Sequence, residues 1–170
     1  MAKGSSGGVH YLKGLEEVNR NLNKELESIT ARSMKGLIMA AVFIRNETEK
    51  TPPLTPVDLG NLRASWFVVT ASQVAAGSGS HQFKGPKAGE LSSSHASTVT
   101  ESQGIVASQS TASKKFLMMG YGVNYSGYVH EMIGANFKRP NAGPKWLESA
   151  IKRNTGKIVQ IVKDNAQIKK

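Results

Sequence analysis

The stretch Pro56-Val57-Asp58-Leu59-Gly60-Asn61-Leu62-Arg63-Ala64-Ser65-Trp66 is where one kind of secondary structure must give way to another. The prolines at 52, 53 and 56 lack an amide donor and bias their predecessors away from helix, so a helix arriving from the N-terminal side stops here. Asp58 is placed to cap a single turn over residues 59–63. Gly60 permits close backbone approach, Leu62 points inward, and Arg63 offers a planar fork of five donors, which also suits it to satisfying nearby carbonyls. Trp66-Phe67-Val68-Val69-Thr70 then reads as a strand buried on both faces, because it is aromatic and β-branched without polar alternation.

Upstream of this corner, Leu15, Val18, Leu22, Leu26, Ile29, Leu37, Ala41 and Ile44 recur at spacings of three and four or their sums. They predict one long amphipathic helix from about residue 9 or 12 to about residue 50. Residues 36–44 are apolar nearly all round, so this half is expected to be buried on more than one side, in part against another subunit.

Downstream, residues 75–113 differ in kind. Of these 39 residues 24 are Ser, Thr, Gly or Ala, and only Phe83, Leu91, Val99, Ile105 and Val106 are large and apolar. Such a segment buries too little surface to offset its own ordering entropy, so it is read as an insertion. It is expected to be a flexible loop, or a weak hairpin of residues 98–100 and 105–107. Phe116-Leu117-Met118-Met119-Gly120-Tyr121 is a second strand, and residues 125–131 form a short Tyr-rich turn or helix. After the loop Arg139-Pro140-Asn141-Ala142-Gly143-Pro144, a final helix carries Trp146, Leu147, Ala150, Ile151, Ile158, Ile161 and Val162 on its apolar side, weakened at Gly156. The fold class is therefore α+β. A small antiparallel sheet packs on a long N-terminal helix and a C-terminal helix, in one domain over residues 1–170 with the insertion at 75–113.

The chain has 170 residues and a net charge of +10, with no cysteine. The absence of cysteine excludes disulfides, thiol nucleophiles and Cys-ligated metals. No apolar run approaches the roughly 20 residues of a membrane span, and the start lacks a signal-peptide core, so a soluble protein kept inside a cell or a particle is expected. Residues 138–170 hold nine basic and two acidic side chains, which is most of the excess charge. Lys152, Arg153, Lys157 and Lys163 are the candidate basic surface, suited to phosphates or to an acidic partner. Aromatic interleaving is sparse there, which leaves only sequence-independent nucleic-acid binding as an alternative function.

No catalytic pattern emerges. His10, His81, His95 and His130 are scattered, and His130-Glu131 lacks the second histidine of a helical zinc motif. Gly120-Tyr121-Gly122 has Tyr125 where a dinucleotide fingerprint needs its third glycine. No cofactor, metal or enzyme activity is implied.

In combination, the corner at residues 56–66 resembles the Pro-x-Asp-x-Gly-x-Leu-Arg-x-Ser segment of the tail-completion or neck proteins of long-tailed bacteriophages, where it also follows a long helix. Tyr125-Ser126-Gly127-Tyr128-Val129-His130-Glu131 resembles that family's Tyr-x-x-Tyr-Val-Glu segment, with His130 interposed. Gly143-Pro144-Lys145-Trp146-Leu147-Glu148-Ser149-Ala150-Ile151 resembles the start of its closing helix. The resemblance implies a structural virion subunit in a homo-oligomeric, commonly hexameric, ring. That ring joins the head connector or stopper to the tail tube or tail terminator, lets the genome pass with transient DNA contact, and has no membrane role. It assigns Asp58, Gly60, Leu62, Arg63 and Trp66 to the corner and assembly. The rings of Trp66, Tyr125 and Tyr128, expected to be exposed, suit a subunit interface, and Tyr125, Tyr128, Glu131 and Trp146 are its candidates.

Overall fold

A computed structural model describes residues 8–75, 82–112 and 114–167, with side chains from residue 16 onward. His81, Lys169, Lys170 and the side chain of His10 lie outside the described part. The elements are α1 (Gly8–Lys50), α2 (Asn61–Ala64), β1 (Trp66–Thr70), α3 (Ala88–Gln109), β2 (Leu117–Tyr121), α4 (Ser126–Glu131), α5 (Trp146–Arg153) and α6 (Thr155–Ala166). Among the described residues, no helix is long and apolar enough to cross a membrane, and no group of three or more His, Asp or Glu is arranged to hold a metal ion.

The predicted long helix is present, and its 43 residues span about 64 Å at 1.5 Å per residue. Its apolar stripe packs on the body through Ala40, Ala41 and Ile44. Residues 36–44 are buried on more than one side, Gly36 against Val162 of α6 and Ile38 and Ala41 against the sheet cluster, but not all round. Met39 and Val42, on the opposite face, are 47% and 41% exposed. Toward the N-terminus every residue from 16 to 27 is exposed, including Val18, Leu22 and Leu26 on the stripe itself. The first half of α1 thus stands clear of the body as an arm.

The sheet has two antiparallel strands, with Trp66 opposite Tyr121 and Thr70 opposite Leu117. A two-stranded sheet is marginal alone, and here it is the middle of three layers. Trp66, Val68 and Tyr121 face a cluster with Ala41 of α1, Leu62 of α2 and Trp146 of α5. Phe67, Val69 and Met118 face the other way, onto Val99 and Val106 of α3. All five β1 residues are buried for this reason, as the unbroken apolar run predicts.

The second cover corrects the reading of residues 75–113. Residues Ala88–Gln109 form a 22-residue helix, neither a loop nor a hairpin. Leu91, His95, Ser102 and Val106 are its buried positions, and partly buried Val99 completes a stripe at spacings of four and three. Counting only large apolar residues hides this stripe, because two of its members are His and Ser. Small side chains elsewhere on the helix cost little rotamer entropy, and the sheet supplies the burial that the segment lacks alone. The rings of Phe67 and Phe83 meet the His95 imidazole edge-on, with centroids 6.2 and 5.8 Å away. Opposite them, a Cβ on Gly122 would lie 2.4 Å from His95 Nδ1, so only glycine lets the end of β2 pass this close to α3.

The closing helix is broken, although its weakness lies near the expected place. Asn154, two residues before Gly156, ends α5, and its side-chain amide donates to the Ala150 carbonyl at 2.9 Å. The bend lets α6 run back along α1, from Arg153 beside Thr51 to Val162 at Gly36. Cover for the α1 stripe ends where α6 ends.

Candidate functional site

The corner joins three distant segments. Glu49, in the last turn of α1, accepts from Arg63 Nε at 2.9 Å and from Arg139 Nη1 at 2.8 Å. Arg139 also donates to the carbonyls of Thr55 (3.0 Å) and Glu49 (3.1 Å), so its fork closes the turn that the prolines open. Beneath it, the Tyr121 hydroxyl lies 3.2 Å from Thr48 Oγ1 and 3.3 Å from Thr55 Oγ1, tying the end of β2 to both sides of the proline turn. Arg153 reaches the same turn from α5, donating to the Pro52 carbonyl at 3.0 Å. These bonds satisfy carbonyls that no helix or sheet ladder can serve.

Several expected roles change. Asp58 caps nothing: α2 starts after Gly60, no side chain caps it, and Asp58 pairs instead with Lys138 at 2.5 Å. Both partners are largely exposed, and such pairs contribute at most about 1 kcal/mol. Gly60 serves by its left-handed backbone, φ 87°, with open space where a Cβ would point, rather than by close approach. Leu62 is buried as expected, and Arg63 binds a carboxylate rather than carbonyls. Trp66 is not an exposed ring but 3% exposed, with the Arg45 guanidinium 4.8 Å above it. Trp146 is 1% exposed and belongs to the core, so it is removed from the interface candidates. Tyr128 is fully available at 71% exposed, whereas Tyr125 is half-buried. Burial and the nearby Asp58 carboxylate both push the Tyr125 hydroxyl above its ordinary pKa.

Glu131 is brought to the closing helix. Lys145, at the start of α5, holds a left-handed backbone (φ 56°) and donates its amide to the His130 carbonyl at 2.8 Å. Its ammonium pairs with Glu131 and with Glu148, and Lys152 pairs with Glu148 at 2.5 Å. The bond to Lys145, reinforced by His130, holds the Glu131 carboxyl below the usual glutamate range. Lys152 first and Lys145 second do the same for Glu148, while the bond to Glu131 raises Lys145. Depressed carboxylates contribute stability that is present above their unfolded pKa and lost as pH falls through the folded one. A raised lysine contributes below its unfolded pKa and loses that contribution as pH rises through the folded value. The α4–α5 link is therefore complete from about pH 5 to about pH 10. Thermal melts from pH 7 down to pH 3 should show a smaller loss of Tm in Lys145→Met than in the parent chain. Equal losses would show that the network carries no linkage.

Of the basic residues assigned to the C-terminal surface, Lys152 and Arg153 are committed to Glu148 and to the proline turn. Lys138, Arg139 and Lys145 are likewise paired within the chain. Among the described residues of this region, Arg153, Lys157 and Lys163 are without an ion pair, and of these Arg153 is held by carbonyls. Five of the seven described basic side chains of residues 138–167 are thus engaged within the chain.

An open groove of about 940 Å³ runs beside the corner, walled by Leu59, Leu62, Leu91, Val129, Met132 and Phe137. It is mainly apolar, and Asp58, Lys84, Lys87, Glu90, Tyr125 and Lys138 complete its polar lining. No family model, curated protein or solved structure matches the chain.

Glu49 and Arg139 are the corner residues that sequence reading misses. Glu49 sits in the run Asn46-Glu47-Thr48-Glu49-Lys50, where nothing distinguishes it from a solvated helix end. One signal was available for its neighbour, since Thr48 stands four residues after Ile44 on the continuing apolar stripe.

Proposed function

We propose that the chain is a structural subunit of a long-tailed bacteriophage particle, a tail-completion or neck protein that forms a homo-oligomeric ring, of six copies by analogy with the family, between head connector and tail. The observation that carries this reading is the junction of the three family-like segments in one place. The corner at 56–66, the Tyr-rich turn and the start of the closing helix meet in one apolar cluster, through Leu62 and Trp66, Tyr125 and Val129, and Trp146 and Leu147, and the Glu131–Lys145 pair pins the last two together. Such a corner fixes the angle between a long helix and the sheet, which is what a subunit of a rigid ring requires. The exposed arm and the exposed Tyr128 ring supply apolar surface for neighbours.

Sequence-independent binding of duplex nucleic acid is the weaker reading, because five of the basic side chains that suggested it are paired within the chain. The reading is tested by mass in solution together with immunogold labelling of particles in negative stain. The expected result is a closed oligomer in solution and label at the head–tail junction. A stable monomer absent from the particle overturns it. Duplex titration against salt separates the alternative, which would give a slope of about −0.9 per phosphate contact.

A further inference from the structure

We propose that the arm of α1 docks on the outer face of α1 in a second copy of this chain, burying Val18, Leu22 and Leu26 of one copy against Met39 and Val42 of the next. The proposal deepens the oligomeric part of the reading above and rests on it.

The arm carries an apolar stripe that no described residue of its own chain covers. Val18 is 63% exposed, Leu22 55% and Leu26 52%. The same stripe is buried further along, at Ala40 and Ile44, so its apolar character is already used for packing where a partner is present. A helix segment of this length without tertiary cover is only marginally stable in water, since most helical stability in proteins comes from packing an amphipathic face. No described residue of the chain supplies that partner.

The second uncovered apolar surface on α1 points the other way. Residues 31, 35, 39, 42, 46 and 50 are exposed at helical spacing, and they place Met39 and Val42 between Lys35 and Lys50. The acidic residue in register with that face, Glu49, is engaged by Arg63 and Arg139. The arm, in contrast, has Glu16, Glu17, Glu25 and Glu27 against Arg20 and Lys24 over residues 16–27. Two uncovered apolar surfaces thus lie on opposite sides of a single helix, one on a segment of net charge −2 and the other beside lysines. One head-to-tail contact between copies covers both surfaces, and each copy then offers the same pair to the next. Repeated contacts of this heterologous kind generate rings when the rotation closes and filaments when it does not. Pairing of arm with arm would leave Met39 and Val42 uncovered.

The absence of cysteine makes the test clean. In the double variant Leu22→Cys, Met39→Cys, both new thiols are at exposed positions, so the fold is undisturbed. They are about 26 Å apart on one straight helix at 1.5 Å per residue, far beyond the 7 Å between Cα atoms that a disulfide spans. Every disulfide formed must therefore join two copies. The expected result under mild oxidation is a ladder of linked chains from the double variant, and linked dimers from a mixture of the two single variants. Leu22→Cys alone and Met39→Cys alone should remain largely unlinked. Light scattering on the parent chain separates the possible failures. A parent oligomer without the mixed disulfide, or with linkage in Leu22→Cys alone, overturns this interface and leaves the ring reading standing. A monomeric parent overturns both.

Discussion

Replacing Trp146 with alanine is expected to destabilise the chain by about 3–5 kcal/mol, the usual range for emptying a fully buried tryptophan site. For a chain of this size that is roughly a 10 °C fall in Tm, and a large share of a stability on the order of 5–15 kcal/mol. The side chain is 1% exposed and stands between the ring of Tyr121, centroid 5.9 Å away, and that of His130 at 4.7 Å, both edge-on. It is the point where α5, the end of β2 and α4 meet, so the cavity cannot be filled by one element moving. Trp146→Phe separates volume from polarity. It removes an indole N–H that is buried without a hydrogen-bond partner, and should cost only about 1 kcal/mol. Urea denaturation of the two variants beside Tyr128→Ala tests the assignment, because Tyr128 is 71% exposed and its loss should leave stability nearly unchanged. A Trp146→Ala chain as stable as Tyr128→Ala would return Trp146 to the interface.

Glu49→Ala is expected to cost about 2–4 kcal/mol, near the lower part of the range for breaking a buried ion pair because Glu49 keeps some solvent access. The carboxylate is the acceptor for two guanidinium groups, and Arg139 is mostly buried. Without Glu49 that charge faces only the carbonyls of Thr55 and residue 49. Arg63 is more exposed and should lose less. In a double-mutant cycle with Arg139→Ala, the coupling should be about 1–3 kcal/mol, whereas the cycle with Arg63→Ala should give below about 1 kcal/mol. Additive losses in the Arg139 cycle would mean that the corner is held by the threonine–tyrosine cluster alone. Glu49→Gln keeps an acceptor and should fall between parent and alanine.

These two sites mark the boundary of what the sequence discloses. The long helix, the buried strand and its partner strand were legible, because their periodicity is carried by large apolar side chains such as Leu37, Ile44, Val68 and Val69. Trp146 was readable as part of an apolar helix face, but whether that face meets its own chain or another is a tertiary fact. The α3 helix was missed because its buried stripe includes His95 and Ser102, and the sheet face that makes their burial worthwhile is built from residues distant in sequence. Asp58 has the composition of a cap, yet the turn begins two residues later, where Gly60 supplies the backbone conformation and Asp58 is left to reach Lys138. The Glu49–Arg139 clamp joins residues ninety positions apart. No local pattern specifies such a pairing, so only the closed corner reveals it.

The position of α3 also has a consequence for motion. Its buried side chains are few, and its surface is rich in Ser and Thr whose hydroxyls bond back to their own helix, as Thr98 does to Ser94 and Thr100 to Ala96. A layer attached this lightly is the natural unit of sub-global opening, and its amides should exchange before those of α5 or the body half of α1. Each such opening uncovers Phe67, Val69 and Met118 together, a flat, apolar strip of β-structure. The helix that makes the sheet stable is thus also the gate through which the chain would aggregate.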